Sequence, residues 1–169
     1  FFWYAGEYPG ERGSTMFHSE QAANVFVLKP ADHAAGVAGD SINTGKVSKI
    51  VYYVQSGAIT GNAVLTVKYG ASAGTQTTAE TFRYRLADAD QAAAGSDLYG
   101  DWATSSSLTM TAATYDNKVL IVEVDDDTLT ADQPWATLAL SSAASALNVS
   151  VVAVCSPRYQ ANDSVTVIA

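Results

Sequence analysis

The chain has 169 residues, a length that suits one domain and allows about 70% of the unfolded surface to be buried without a covalent staple. Ala, Gly, Ser and Thr supply 73 of the residues and charged residues only 15%, while hydrophobic residues reach 48%, too many for a disordered chain. Nine basic residues against seventeen acidic ones leave a net charge of −8, which argues against a nucleic-acid binder and against docking on anionic lipid, and no apolar run is long enough for a membrane-spanning helix.

Residues 1–23 are aromatic, glycine-containing and aperiodic, and read as an irregular N-terminal arm ahead of a single domain over residues 24–169. The opening Phe1-Phe2-Trp3-Tyr4 lacks the basic start, long aliphatic centre and small-residue cleavage site of a secretory signal. Phe1, Phe2, Trp3, Tyr4 and Tyr8 are costly to leave in water, and exposed aromatics commonly mark interfaces. They are the candidate partner-binding residues; the bland alternative packs them on the chain's own domain.

Beyond the arm, a two-residue period dominates. Val25–Leu28 predicts a first strand, and Val47–Gln55 contains Ile50, Val51, Tyr52, Tyr53 and Val54, residues that fit a pleated sheet. Ala63, Leu65, Val67 and Tyr69 form one apolar face against Thr66 and Lys68, the pattern of a half-buried strand. The intervening 56–61 segment holds two glycines and predicts a hairpin with a longer loop. Phe82, Tyr84 and Leu86 then alternate with Arg83 and Arg85, and a short threonine-rich strand is expected at Ser107–Thr111. Lys118–Val124 is apolar on both faces and is expected mid-sheet between two layers. Trp135–Leu140 and Leu147–Cys155 follow, the latter with Leu147, Val149, Val151, Ala153 and Cys155 on one face, and Val165–Ile168 is expected to close a sheet. The alanine-rich stretches 87–94 and 141–146 read as loops or a short helix. Eight or nine short strands make an all-β, two-sheet antiparallel sandwich, with a jelly roll as the favoured topology. Strand count alone leaves an immunoglobulin-like order open.

Little in the sequence points to chemistry. Cys155 is the one cysteine, so no intrachain disulfide forms, and its place in an apolar run reads as a small buried hydrophobe. His18 and His33 are the only histidines; both lie far from Cys155, zinc ligation is implausible, and His33 beside Asp32 reads as a loop residue. No G-x-S-x-G elbow or phosphate-cradling glycine loop occurs. The region from Val119 to Pro157 holds no lysine or arginine but carries Glu123, Asp125, Asp126, Asp127 and Asp132. Asp125, Asp127 and Asp132 are weak candidates for a calcium site, set against a solvated turn; the EF-hand spacing is missing, and no metal or other cofactor is assigned. A glycosidase pair of carboxylates has no groove to act in. Asn148 and Asn162 begin glycosylation sequons, the first inside a strand that would hide it. Trp102 and Trp135 read as core or rim residues rather than a sugar-stacking platform.

Val119-Leu120-Ile121-Val122-Glu123-Val124-Asp125, Asp127 with Leu129, Trp135-Ala136-Thr137-Leu138, Val151-Val152-Ala153-Val154 and Pro157-Arg158-Tyr159 follow one another in an order that resembles small virion proteins of tailed bacteriophages, the capsid decoration or cement proteins. The resemblance extends back through residues 49–68, with a TG-x-A-x-L-T-V rhythm at Thr60–Val67, and covers Val47 to Ile168; the aromatic start stands outside it. It implies a non-enzymatic β-sandwich on the outer capsid surface of the virion. It further implies the major capsid protein as partner, often a homotrimer at local three-fold positions, and no nucleic-acid or membrane partner. The competing readings are a secreted carbohydrate-binding module, which needs a row of exposed aromatics on one face, and a main capsid or fibre subunit.

Overall fold

The computed structural model describes residues 22–91, 93–95, 97–125 and 132–158. Phe1, Phe2, Trp3, Tyr4 and Tyr8 of the expected arm, Asp127, and the expected strand at Val165–Ile168 lie outside the described residues, as does His18. Twelve strands and one short helix occur among the described residues: β1 (Ala23–Asp32), β2 (Val37–Ala38), β3 (Ile42–Asn43), β4 (Val47–Ile59), β5 (Ala63–Gly70), β6 (Thr78–Glu80), β7 (Phe82–Leu86), β8 (Ala103–Ser105), β9 (Leu108–Met110), α1 (Ala112–Tyr115), β10 (Val119–Asp125), β11 (Trp135–Leu140) and β12 (Leu147–Pro157).

They form two antiparallel sheets. The first has the order β1-β12-β4-β10-β7-β8. The second has the order β2-β11-β5-β6, with β3 beside β2 on β11 and β9 beside β6 on β5. The pairs β1·β12, β2/β3·β11, β4·β10 and β5·β6 join the first half of the chain to the second as one long ribbon turned at β5–β6. Successive pairs of that ribbon fall alternately in the first and second sheet, which is a jelly roll. β7, β8 and β9 are an insertion between β6 and β10 that widens both sheets.

The core lies between the sheets and is made by the alternating positions that the sequence marks. Ala63, Leu65, Val67 and Tyr69 of β5 are buried, as are Leu147, Val149, Val151, Ala153 and Cys155 of β12. Ile50, Tyr52 and Val54 of β4, Leu120, Val122 and Val124 of β10, and Ala136, Leu138 and Leu140 of β11 complete it. At about 25 cal/mol per Å² of apolar surface, this burial is the main force that holds the layers together. Gly36 sits at a φ of +81° between β1 and β2, and a Cβ there would stand 2.7 Å from the Ser142 nitrogen, so both backbone conformation and space require glycine.

Two expectations change. β4 and β5 do not form a hairpin, because they belong to opposite sheets; alternation marks which face is buried, not which strand lies alongside. Ser56–Ile59, expected as loop, continues β4. Ser56 is buried there and its hydroxyl donates to the carbonyls of Tyr115 and Lys118, the latter at 2.7 Å. The described part of 87–94 is a loop built of turns, in line with the first of the two readings made of it, with the Ala93 amide donating to the Asp90 carbonyl at 2.9 Å; the one helix among the described residues is the four-residue α1.

Tyr52 is fully buried at the centre of the core, and its hydroxyl finds no hydrogen-bond partner among the described residues. Burial accordingly pushes its pKa well above the usual tyrosine value. Tyr52→Phe should therefore leave the fold intact and raise stability by about 1 kcal/mol, the cost of an unsatisfied buried hydroxyl. Urea unfolding reads this directly, and a variant less stable than the parent would show that the hydroxyl is bonded after all.

Candidate functional site

Strands with apolar residues on both faces present one set to the core and the other outward. The ladder register places Phe26, Val152, Tyr53 and Ile121 side by side across β1, β12, β4 and β10 on the outer face of the first sheet. A second row joins Asn24, Val154, Val51, Glu123 and Arg83 on the same face. Phe26 is 77% exposed and Tyr53 41%, whereas Ile121 is buried even though it stands outside the core cluster. The outer face of the second sheet is different in kind. It carries Thr66 and Lys68 of β5, and its Thr137 is buried in a 2.7 Å hydrogen bond with the Ser41 hydroxyl, which also accepts from the Gly74 amide.

The apolar row ends at a cation–aromatic cluster. Ile121 pairs with Arg85, whose guanidinium lies 4.8 Å from the Tyr99 ring and 4.7 Å from the Trp102 ring. Arg83 lies over the same Trp102 ring at 4.5 Å. Two guanidinium groups thus hold Trp102 at the rim, where the residue is 41% exposed. Arg83 also donates to Glu123 through Nε at 2.7 Å and through its terminal nitrogen, and Lys49 Nζ stands 3.0 Å from the same carboxylate. Burial by itself would raise the Glu123 pKa. The hydrogen bonds and charges of Arg83 and Lys49 outweigh it and hold the carboxyl below the usual glutamate range.

Chemistry-bearing residues are scattered or sealed. Cys155 is wholly buried, and burial pushes its thiol up to about 12, so no thiolate is available as a nucleophile. His33 Nε2 donates to the Lys29 carbonyl at 3.0 Å, while Asp32 Oδ1 accepts from the Ala34 and Leu147 amides; the pair fastens the turn after β1. Of the metal candidates, Asp125 is exposed with its carboxylate 3.8 Å from Lys49, and Asp132 is exposed ahead of β11. Among the described residues no group of three His, Cys, Asp or Glu side chains converges. Trp135 is half-buried on the outer side of β11.

The outward apolar row is the surface feature that reading the sequence by core alternation passes over. Its signal was the continuous apolar runs at residues 50–54, 119–122 and 151–154, which hold more apolar residues than one buried face needs. No family model, curated protein or solved structure matches this chain.

Two outcomes follow from the electrostatics. A carboxyl whose folded pKa is depressed stabilises the fold above its ordinary pKa of about 4.3, and this is lost as pH falls through the lower folded value. The melting temperature of Glu123→Gln should therefore lie below that of the parent at neutral pH, and the gap should close as the pH falls below the ordinary glutamate range; parallel curves throughout would contradict the account. The Cys155 thiol should be inert to an aromatic disulfide reagent in the native protein and react fully once the chain is unfolded.

Proposed function

We propose that this chain is a non-enzymatic virion structural protein that decorates a bacteriophage capsid, lying on its outer surface and binding across major capsid protein subunits. The observation that carries the reading is the exposed row Phe26–Val152–Tyr53 with Trp102 and its two arginines at one end. Aromatic residues and arginine are the types enriched where protein interfaces are buried, and a contiguous apolar patch on a soluble domain usually marks such a site. The sandwich itself suits the task, since a packed double sheet is a rigid body that can present a fixed face. The aromatic residues Phe1, Phe2, Trp3, Tyr4 and Tyr8 would add to the contact.

The mechanism in this reading is linkage. A protein that binds the assembled lattice and not its dissociated subunits stabilises the lattice by RT ln(1 + [L]/Kd). A trimer on a three-fold position would multiply this through avidity, because each further contact forms at a high effective concentration. The net charge of −8 is tolerable on a shell exterior and unfavourable against packaged DNA.

Burial of one phenylalanine stabilises a contact by about 1.5–3 kcal/mol, which corresponds to a tenfold or greater change in affinity. Phe26→Asp should therefore reduce co-sedimentation with undecorated capsids of the encoding phage at least tenfold, while Thr66→Asp on the opposite sheet leaves it unchanged. Equal occupancy by both variants would remove the first sheet's outer face from the interface.

A further inference from the structure

At one end of the first sheet the apolar row gives way to a polar groove of about 420 Å³. Its floor is Gln55 and Gly57 of β4 with Asn148 and Ser150 of β12. One wall is Pro30. The pairing of β1 with β12 jumps from Leu28↔Val151 to Ala31↔Val149, so Lys29 and Pro30 bulge opposite Ser150. The other wall is Gln91, whose main-chain amide is fixed to the Asn117 carbonyl at 2.9 Å.

The three amide side chains are each anchored by a hydrogen bond that leaves capacity over. Gln91 Nε2 donates to the Ser56 carbonyl at 2.7 Å, Gln55 Nε2 donates to Gln91 Oε1 at 2.7 Å, and Asn148 Nδ2 donates to the Ala58 carbonyl at 3.0 Å. A carboxamide has two N–H groups and two carbonyl lone pairs, so each retains at least one donor and one acceptor in a fixed direction. The Ser150 hydroxyl adds another of each. Among the described residues no ionisable side chain lines the groove. Tyr53 takes the next outward-facing position of β4 from Gln55 and is half-exposed.

These features select a ligand. Groups that both donate and accept, fixed and uncharged, match vicinal hydroxyls, and an adjacent ring matches the apolar C–H face of a pyranose. A sulfated or carboxylated glycan would bring an anion to a groove without a cation, on a chain of net charge −8. The volume lies within the range of about 300–1,000 Å³ that small-ligand sites occupy. We propose that the groove between Pro30 and Gln91 binds a neutral oligosaccharide. None of the residues lining the groove belongs to the capsid-binding row, although Tyr53 borders both, so variants of the lining and of Phe26 tell the two readings apart.

Saturation-transfer NMR on the full chain with maltohexaose, cellohexaose and mannohexaose, and with sialyllactose as an anionic comparison, tests this. At least one neutral hexaose should show transfer and sialyllactose none. Gln91→Ala removes one wall amide. Gly57→Ala narrows the floor without disturbing a hydrogen bond, since its Cβ would meet the Asn148 Cβ at an ordinary 3.6 Å. Each should weaken the bound hexaose at least tenfold, Gly57→Ala with an unchanged melting temperature, whereas Phe26→Asp and Lys68→Ala should not weaken it. Absence of transfer from all three hexaoses, transfer that survives both groove variants, or preference for sialyllactose would overturn the assignment.

Discussion

The hydrogen-bonded ladder that joins β4 to β12 on one side and to β10 on the other is the constraint on which the rest depends. β4 is the longest strand among the described residues, and its pairing spans most of both partners. It places Ile50, Tyr52 and Val54 in the core and, by the same alternation, Val51, Tyr53 and Gln55 on the outer face. One register therefore sets the packing of the interior, the apolar row and the floor of the polar groove. A slip of one residue would exchange the two faces and bury Gln55 in place of Val54.

Much of the interior was legible because burial on one side imposes a period of two. The faces of β5 and β12 are those that the sequence marks, and the larger strands fall close to their expected places. Strand partners were not legible. β4 and β5 each show an apolar face to the same core, and that pattern is equally compatible with a hairpin and with two strands in facing layers. The two- and three-residue strands β2, β3, β6 and β8 were out of reach as well. They are short pairings on the edges of β11, β5 and β7, made by the strand that happens to lie alongside, distant in sequence for β2 and β3 and the preceding one for β6 and β8, rather than by any property of dipeptides such as Val37-Ala38.

The candidate sites were less legible, for a physical reason. A catalytic or metal site announces itself through residue types that are rare elsewhere, and those types here turn out to be structural: Asp32 holds a turn, Cys155 fills the core, and Glu123 neutralises Arg83 and Lys49. A binding face made of valine, tyrosine and phenylalanine uses the same alphabet as the core. Only the register separates Phe26 and Tyr53, which face outward, from Val25 and Tyr52, which face inward. The groove is harder still, because Gln55, Gln91 and Asn148 come together through a bulge and a turn that leave no periodic trace.

Pro30 has a consequence for crowding. β1 borders the first sheet, and an open border is where foreign strands add and fibrils begin. Proline offers no amide to such a newcomer, and the two irregularities in the β1–β12 pairing bend the strand away from a flat template. At the far border β8 is only three residues long. Copies held at high local density are thereby steered from edge-to-edge polymerisation toward contact through their broad sides.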